Sequence, residues 1–428
     1  MKRVVVVSVG VAALVVGILV AWYSVRQDRE FQRLIAAGDA AVVQDQTFVA
    51  IEAFSGALAL KPDSMLAYLK RGDTYRRRGE LTSALRDLRQ AATLDPGAPR
   101  PVELLGDVNV AMGRYERAIE EYRRFTALDD RAPRVLYKLA LTYYRNGQAA
   151  LAIEPLRQAV AFDDRFVEAH YLLGMCLLER KRDADALRSL TRAIEINPTF
   201  AAAREEMADI YAQRGRSRDA IEQLEALAAL EPGRAERLVS VGLAYARLGR
   251  TDAAILTLGR AAERFPEEPV VYTALGRVWL ETAETRNDRV ALSKAIGALQ
   301  PTAGRATASS EALALYGRAL FLSGEIGGAE RTLQEATTRM PVEPLAFRYL
   351  AAAADRLGHV APARDALRRY VALVDSPDAP TLALLADTHR RLGELAAARA
   401  AIAKALALEP ENEALLRLQR RLGATRGG

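Results

Sequence analysis

Apolar and polar positions along the chain follow two different patterns. Residues 4–23 form a continuous apolar run in which Ser8 is the only distinctly polar side chain before Tyr23. From about residue 31, apolar residues lie three and four positions apart, a Gly follows, and a second stretch of the same kind ends at Pro or Asp. This second pattern predicts pairs of amphipathic helices joined by tight turns.

The helical pattern repeats every 34 residues. A small residue recurs at this interval eight times without drift, and an Ala lies twelve residues after each of the first seven. The two series are Gly38, Gly72, Gly106, Ala140, Gly174, Ala208, Gly242 and Gly276, and Ala50, Ala84, Ala118, Ala152, Ala186, Ala220 and Ala254. After a slip of seven residues the pattern resumes at Gly317, Ala329, Ala351, Ala363, Ala386 and Ala398.

These positions resemble the tetratricopeptide repeat (TPR) family, which has a small residue at repeat position 8, Ala at 20, Pro at 32 and large residues at 4, 7, 11 and 24. The resemblance covers residues 31 to about 410. It implies an all-α superhelical solenoid of about 11 helix-turn-helix repeats, in which small side chains let paired helices approach within roughly 8–10 Å. Ala41, at position 11 of repeat one, and Arg71, at position 7 of repeat two, depart from the pattern.

The break in the period divides the chain. We predict repeats 1–8 over residues 31–300, the eighth irregular, and repeats 9–11 over 310–410, followed by a capping helix and tail over 411–428. Residues 301–309, within a stretch rich in Thr, Ala, Gly and Ser, are predicted to be a loop or hinge. A rigidly packed connection is the alternative.

Residues 1–30 are predicted to be a short basic head and an uncleaved transmembrane signal anchor. Twenty helical residues span roughly 30 Å, the thickness of a bilayer core. A cleaved signal peptide is the alternative, but the apolar run is long and Trp22 and Tyr23 follow Ala21, the expected cleavage region. Ala13 and Gly17 form a small-xxx-small pair that allows two such helices to pack, so a homo-oligomer is considered as well as a monomer.

Composition leaves little material for catalysis. The 428-residue chain is 27% charged with a net charge of +6, and its charges are interspersed, which favours a solvated helical surface over a nucleic-acid interface. His170, His359 and His389 lie in no catalytic or metal-ligand spacing, and Cys176 is predicted to be a small buried residue. We therefore expect no enzyme activity, no cofactor and no metal; an unrecognised active site in residues 282–310 is a minor alternative.

In this family the first helix of each repeat lines a concave groove, with positions 2, 5, 9, 12 and 13 facing a ligand. Here position 9 often carries Asp and position 13 often carries Arg: Asp39, Asp73, Asp107, Asp209 and Asp387, and Arg77, Arg145, Arg247, Arg356 and Arg391. The pairs Asp73 with Arg77 and Asp387 with Arg391 have helical i, i+4 spacing and are expected to satisfy each other, whereas Asp39, Asp107 and Asp209 lack such a partner. The hypothesis is a carboxylate ladder on the first three repeats that binds a basic segment; a solvated face is the alternative.

The resemblance implies protein partners. The chaperone-binding subclass of the family uses Lys at position 5 and Asn at position 9, but this chain has Ile35, Leu69 and Glu103 at position 5, so that clamp is absent. Together with the anchor, the repeats predict a membrane-tethered scaffold or adaptor for a bacterial envelope complex of the pilus, secretion or polysaccharide export type.

The orientation in the membrane rests on the residues that flank the apolar run. Lys2 and Arg3 precede it, and Arg26 and Arg29 follow it. The basic head favours an amino terminus in the cytoplasm. The expected location is the bacterial inner membrane, single-pass, with the repeats in the periplasm. A cytoplasm-facing, membrane-anchored TPR regulator of envelope biosynthesis is the alternative.

Overall fold

The computed structural model describes residues 2–424, with side-chain environments for residue 14 and residues 16–422. Over this range the chain forms 23 α-helices and no strand, which confirms the all-α prediction. The helices are α1 (Lys2–Val43), α2 (Thr47–Leu60), α3 (Met65–Arg77), α4 (Leu81–Leu94), α5 (Pro99–Ala111), α6 (Tyr115–Leu128), α7 (Pro133–Arg145), α8 (Ala149–Phe162), α9 (Val167–Glu179), α10 (Asp183–Ile196), α11 (Ala201–Gln213), α12 (Ser217–Leu230), α13 (Ala235–Arg247), α14 (Thr251–Arg264), α15 (Pro269–Arg286), α16 (Arg289–Ala303), α17 (Ser310–Ser323), α18 (Ile326–Ala336), α19 (Pro344–Arg356), α20 (Val360–Leu373), α21 (Ala379–Arg391), α22 (Leu395–Leu408) and α23 (Glu413–Ala424).

Tight turns join the two helices of a repeat. Gly113, between α5 and α6, has a φ of 70°, and Gly249, between α13 and α14, has a φ of 74°. A side chain is strained in this left-handed conformation, so Gly ends the first helix and lets the chain reverse. Lys181 occupies the same turn of its repeat at a φ of 56°.

Small residues sit where the paired helices meet. A Cβ added at Gly106 would lie 2.4 Å from the ring of Tyr122, and one added at Gly174 would lie 2.8 Å from Leu190. The residues at position 20 are at most 2% exposed, namely Ala50, Ala84, Ala118, Ala152, Ala186, Ala220, Ala254, Ala329, Ala363 and Ala398. The helices thus approach closely because no larger side chain separates them.

The chain divides into two compact units, residues 1–206 and 207–428, and the division lies inside α11. In the first unit, a core built from α5 to α10 includes Tyr122, Leu156 and Leu173. In the second unit, a core built from α19 to α23 includes Leu367 and Leu415. The last helix therefore packs with its apolar side on the eleventh pair, as expected of a capping helix.

The connection after α16 is shorter than predicted. The sequence predicted a loop from residue 301, but α16 continues to Ala303 with Pro301 inside it, and α17 begins at Ser310. Thr302 and Ala308 are 4% and 6% exposed, and the Ser310 hydroxyl donates a hydrogen bond of 3.0 Å to the Ala336 carbonyl. Buried contacts of this kind extend the helix by one turn and hold the connection against its neighbours.

The first helix runs without interruption from Lys2 to Val43 and includes the first helix of repeat one. The predicted anchor, residues 4–23, lies partly outside the residues whose side chains the structure describes. Within the described set, no helix combines the length and the apolar character needed to cross a membrane.

Candidate functional site

Two aspartates of the predicted ladder are paired with lysines of the following repeat. Lys70 Nζ donates to Asp39 Oδ1 at 2.7 Å, and Lys138 Nζ lies 2.9 Å from both carboxylate oxygens of Asp107. The two pairs have the same spacing of 31 residues, from position 9 of one repeat to position 6 of the next. Asp39 and Asp107 lack a partner at i, i+4 spacing, as the sequence indicated, but the structure pairs each with a lysine of the following repeat.

Further contacts surround Asp107. The Tyr122 hydroxyl donates to Asp107 Oδ1 at 2.7 Å, and Lys138 also donates to Glu103 Oε1 at 2.7 Å. Burial disfavours the charged form of Glu103, but the hydrogen bonds and charges of Lys138 and Arg100 outweigh it and hold the pKa of Glu103 below its ordinary value. Repeat three therefore presents a largely neutralised cluster to a ligand.

The two predicted helical pairs differ in outcome. Arg77 Nε lies 3.3 Å from Asp73 Oδ2 as expected, and Arg76 Nη2 contacts the same carboxylate at 2.7 Å. Asp387 instead pairs with Arg390 at 2.8 Å, and Arg391 contacts Asp355 of the preceding repeat. The stacking of repeats supplies Arg391 with a partner that helical spacing alone does not reveal.

Asp209 is the exception among these aspartates. The residue 31 positions further on is Ser240, whose hydroxyl donates to the Glu236 carbonyl at 2.9 Å. No lysine is present there, and within residues 14 and 16–422 the exposed Asp209 side chain has neither an ion pair nor a hydrogen bond. Its carboxylate is thus available to a ligand.

The arginines at position 13 also divide into paired and free groups. Arg356 lies over the Phe321 ring, 4.3 Å from its centroid. Arg145 and Arg247 are exposed and have no ion pair within the described side chains. The structure therefore leaves both guanidinium groups free to meet an anionic group.

Asp209 and Arg247 line one cavity of about 340 Å³ in the second unit. Ser217, Leu224 and Ser240 contribute to its walls. Leu224 occupies repeat position 24, where Leu88, Leu156, Leu190 and Leu258 are fully buried, but it is itself partly exposed. The small side chain of Ser240 leaves this space open between α11, α12 and α13.

Tyrosines on the first helices of repeats four and five were not singled out from the sequence. Tyr137 packs on Phe166 with ring centroids 5.0 Å apart, and Tyr171 packs on Phe200 at 5.2 Å. Both pairs have a spacing of 29 residues, and this repetition is the signal that could have identified them. Position 5 of repeats four and five therefore carries two tyrosine rings, each braced by a phenylalanine.

A third tyrosine, Tyr144, lies near an acidic residue. Burial raises the pKa of Tyr144 first, and the charge and hydrogen bond of Glu179 raise it further. This phenol remains protonated at neutral pH and can act as a hydrogen-bond donor.

The histidines and the cysteine occupy structural environments. His170 is 7% exposed, and its Nε2 lies 3.0 Å from the Asp164 carbonyl. His389 is buried against Glu394, and His359 Nδ1 lies 2.8 Å from Glu330. Cys176 is buried, as predicted. Among the described residues, no cluster of three or more His, Cys, Asp or Glu side chains is arranged to hold a metal ion.

Family models match six ranges of the chain, two of which overlap. Models described as tetratricopeptide repeat match residues 35–99, 134–161, 167–200, 205–269 and 379–412, and a model described as TPR repeat matches 106–147. Together these matches cover more than half of the chain. The chain belongs to the tetratricopeptide repeat family. No curated protein matches it significantly.

Solved structures of TPR proteins resemble this one. The C-terminal part of a TPR repeat-containing protein from Cytophaga hutchinsonii is 18% identical, with a TM-score of 0.50 over 56% of this chain and 99% of that one. MamA is 25% identical, with a TM-score of 0.37 over 38% of this chain and 96% of that one. YrrB, described as a TPR protein with an unusual peptide-binding site, is 24% identical, with a TM-score of 0.41 over 44% of this chain and 97% of that one. The Cytophaga structure shows that the TPR fold is shared.

Proposed function

We propose that this TPR protein is a scaffold that binds segments of other proteins on the inner sides of its first helices, without catalysing a reaction. The observation that carries the proposal is the cavity shared by Asp209 and Arg247, because two unpaired charges of opposite sign line a space large enough for a side chain. The braced rings of Tyr137 and Tyr171 support it, since rigid aromatic surfaces are favourable contact sites.

Site-specific photocrosslinking in cells tests this proposal. A photoreactive amino acid at Tyr171 or Leu243 samples the inner side, and the same group at Phe162 or Leu256, which are 50% and 56% exposed, serves as the control. We expect defined protein adducts from the inner positions and few from the controls. Equal adducts from all four positions would contradict an inner binding face.

We further propose that residues 4–23 tether the scaffold to the bacterial inner membrane as part of an envelope assembly. The support is an apolar surface on α1: Leu19, Val20 and Trp22 are 58%, 62% and 59% exposed, on adjoining sides of the helix. Helix packing begins further on, where Gln27 Nε2 donates to the Leu60 carbonyl at 2.6 Å. An exposed apolar surface of this kind is stabilised by lipid.

Fractionation and a topology reporter test the tether. We expect the full chain in the membrane fraction, resistant to carbonate, and release when residues 2–24 are deleted. A reporter active only outside the cytoplasm, fused after the last helix, should be active if the repeats are periplasmic. Activity of a cytoplasmic reporter would instead favour the alternative of a cytoplasm-facing regulator, and a carbonate-soluble full chain would refute the tether.

A further inference from the structure

The chain contains its own examples of how a lysine meets an aspartate at position 9. Lys70 and Lys138 each extend from position 6 of a first helix to the position-9 carboxylate of the preceding repeat, at 2.7 and 2.9 Å. In both cases the ammonium group neutralises the aspartate. This arrangement depends on the register of the repeats and therefore recurs wherever the residue types allow it.

At Asp209, another position-9 aspartate, the lysine is missing. Ser240 occupies position 6 opposite Asp209, and its short side chain leaves both an unpaired carboxylate and a cavity of about 340 Å³. That volume lies at the lower end of the range of about 300–1,000 Å³ found for ligand pockets. Resting on the proposed scaffold function, we infer that this cavity binds a lysine side chain of a partner protein, which takes the place that Lys70 and Lys138 occupy in the first unit.

The walls of the cavity fit this occupant. Ala212, Leu224 and Ala244 present apolar surface along which the methylene groups of a lysine can lie. The ammonium group reaches Asp209, and the Ser217 hydroxyl offers a further acceptor.

Arg247 determines what surrounds the lysine. Its unpaired guanidinium lines the same cavity and repels any cation that is not in contact with Asp209. The segment that fits therefore carries a lysine with an acidic residue or a terminal carboxylate nearby, and a uniformly basic segment is disfavoured.

The test uses n-butylammonium, which reproduces the end of a lysine side chain, and 1-butanol as the neutral control. Each is titrated into the full chain, in detergent, while methyl resonances of Leu224, Leu243 and Ala244 are followed by NMR. We expect saturable shifts with n-butylammonium but not with 1-butanol. Asp209→Asn should weaken the binding by about two- to fivefold, since one exposed ion pair is lost.

Two variants give the test its specificity. Ser240→Lys should abolish the shifts, because the introduced lysine pairs with Asp209 and fills the cavity. Asp39→Asn removes a carboxylate that is already paired with Lys70, so the shifts in the second unit should be unchanged. If n-butylammonium gives no saturable shift, or if Asp209→Asn binds it as well as the natural chain, the inference is wrong.

The n-butylammonium test and the photocrosslinking test can fail independently of each other. Inner-face adducts together with absent n-butylammonium binding would refute the lysine site alone. Absence of adducts at Tyr171 and Leu243, with n-butylammonium still bound at Asp209, would refute the broader scaffold proposal and leave a cation site.

Discussion

Arg71 and Asp87 form a two-point ion pair between the helices of repeat two. Arg71 Nε donates to Asp87 Oδ2 at 2.6 Å, and Arg71 Nη2 donates to Oδ1 at 3.1 Å. The Asp87 side chain is 1% exposed, and Arg71 Nη1 also contacts the Ser55 hydroxyl at 3.0 Å. This pair explains why an arginine stands at position 7, where the family has a large residue: the guanidinium fills the space and neutralises a buried carboxylate.

Removal of one partner should therefore be costly. Arg71→Met removes both hydrogen bonds to the buried Asp87 carboxylate and leaves only the exposed Arg86, whose Nε lies 3.8 Å from Asp87 Oδ1. We expect a loss of about 3 kcal/mol in the free energy of unfolding. Urea denaturation measures it. The control is Arg77→Met, since Arg77 is 51% exposed in its pair with Asp73 and should cost less than about 1 kcal/mol.

The double variant Arg71→Met with Asp87→Leu separates charge from packing. If the buried charge is the cause, replacing both partners by apolar residues should recover most of the lost stability. A double variant as unstable as Arg71→Met would show that the hydrogen bonds themselves hold the two helices together.

The architecture was predictable because it depends on local spacing. Apolar residues three and four positions apart predict the helices. The close contact of Gly106 with Tyr122 follows from a small and a large residue at fixed positions of the repeat. The extra helical turn to Ala303 was not predictable from the same pattern, because Pro301 suggested an end and the buried Thr302 that favours continuation is visible only after folding.

Which aspartates of the candidate site have a partner was harder to predict from the sequence. Asp39 and Asp107 each meet a lysine 31 residues away, and only the stacking of repeats brings such residues together. An argument from i, i+4 spacing therefore counts them as unpaired. The same spacing groups Asp209 with them, and what distinguishes it is Ser240 on the neighbouring repeat.

Gly106→Ala tests the close approach of paired helices. The added methyl group would lie 2.4 Å from the Tyr122 ring, which is buried and donates a hydrogen bond to Asp107, so neither side can move freely. We expect a loss of about 1–3 kcal/mol from overpacking. Gly259→Ala is the matched control, because nothing lies within 4 Å of its Cβ and helix propensity predicts a gain of about 0.5–1 kcal/mol. Opposite signs in thermal or urea unfolding are expected; equal effects would argue against steric contact at Gly106.

Ala186→Arg tests position 20. Ala186 is fully buried between helices, so an arginine there must either separate them or bury an unpaired charge, and we expect a loss of several kcal/mol. Ala161→Arg, at an exposed position of α8, should change stability by less than about 0.5 kcal/mol. An unaltered melting temperature of Ala186→Arg would refute the register of the repeats.

Lys138 should affect how the free energy of unfolding changes at acid pH. The pKa of Glu103 in the folded chain lies below 4.5, because Lys138 and Arg100 outweigh the effect of burial. A lowered pKa stabilises the fold above the unfolded value and loses this contribution as the pH falls through the folded value. Lys138→Met should therefore destabilise the chain at pH 7 and flatten the decline in stability below about pH 4.5. Urea unfolding as a function of pH measures both effects, and an unchanged acid decline would contradict this role.

Cys176 should contribute to the loss of folding stability at alkaline pH. Burial raises the pKa of its thiol from 9.0 to about 12, with a smaller contribution from the charge of Glu179. The folded chain therefore keeps the thiol neutral between pH 9 and pH 10 while the unfolded chain ionises it, so stability falls as the pH rises through this interval. Tyr137, Tyr144 and Tyr171, whose ordinary pKa is 10.0 and whose pKa values are raised in the folded chain, add to this decline as the pH approaches 10. Cys176→Ala should reduce the decline between pH 9 and pH 10, and the natural thiol should resist a disulfide reagent until urea unfolds the chain. Rapid modification of the folded chain at pH 8 would show that Cys176 is accessible and ionised, contrary to its position in the core.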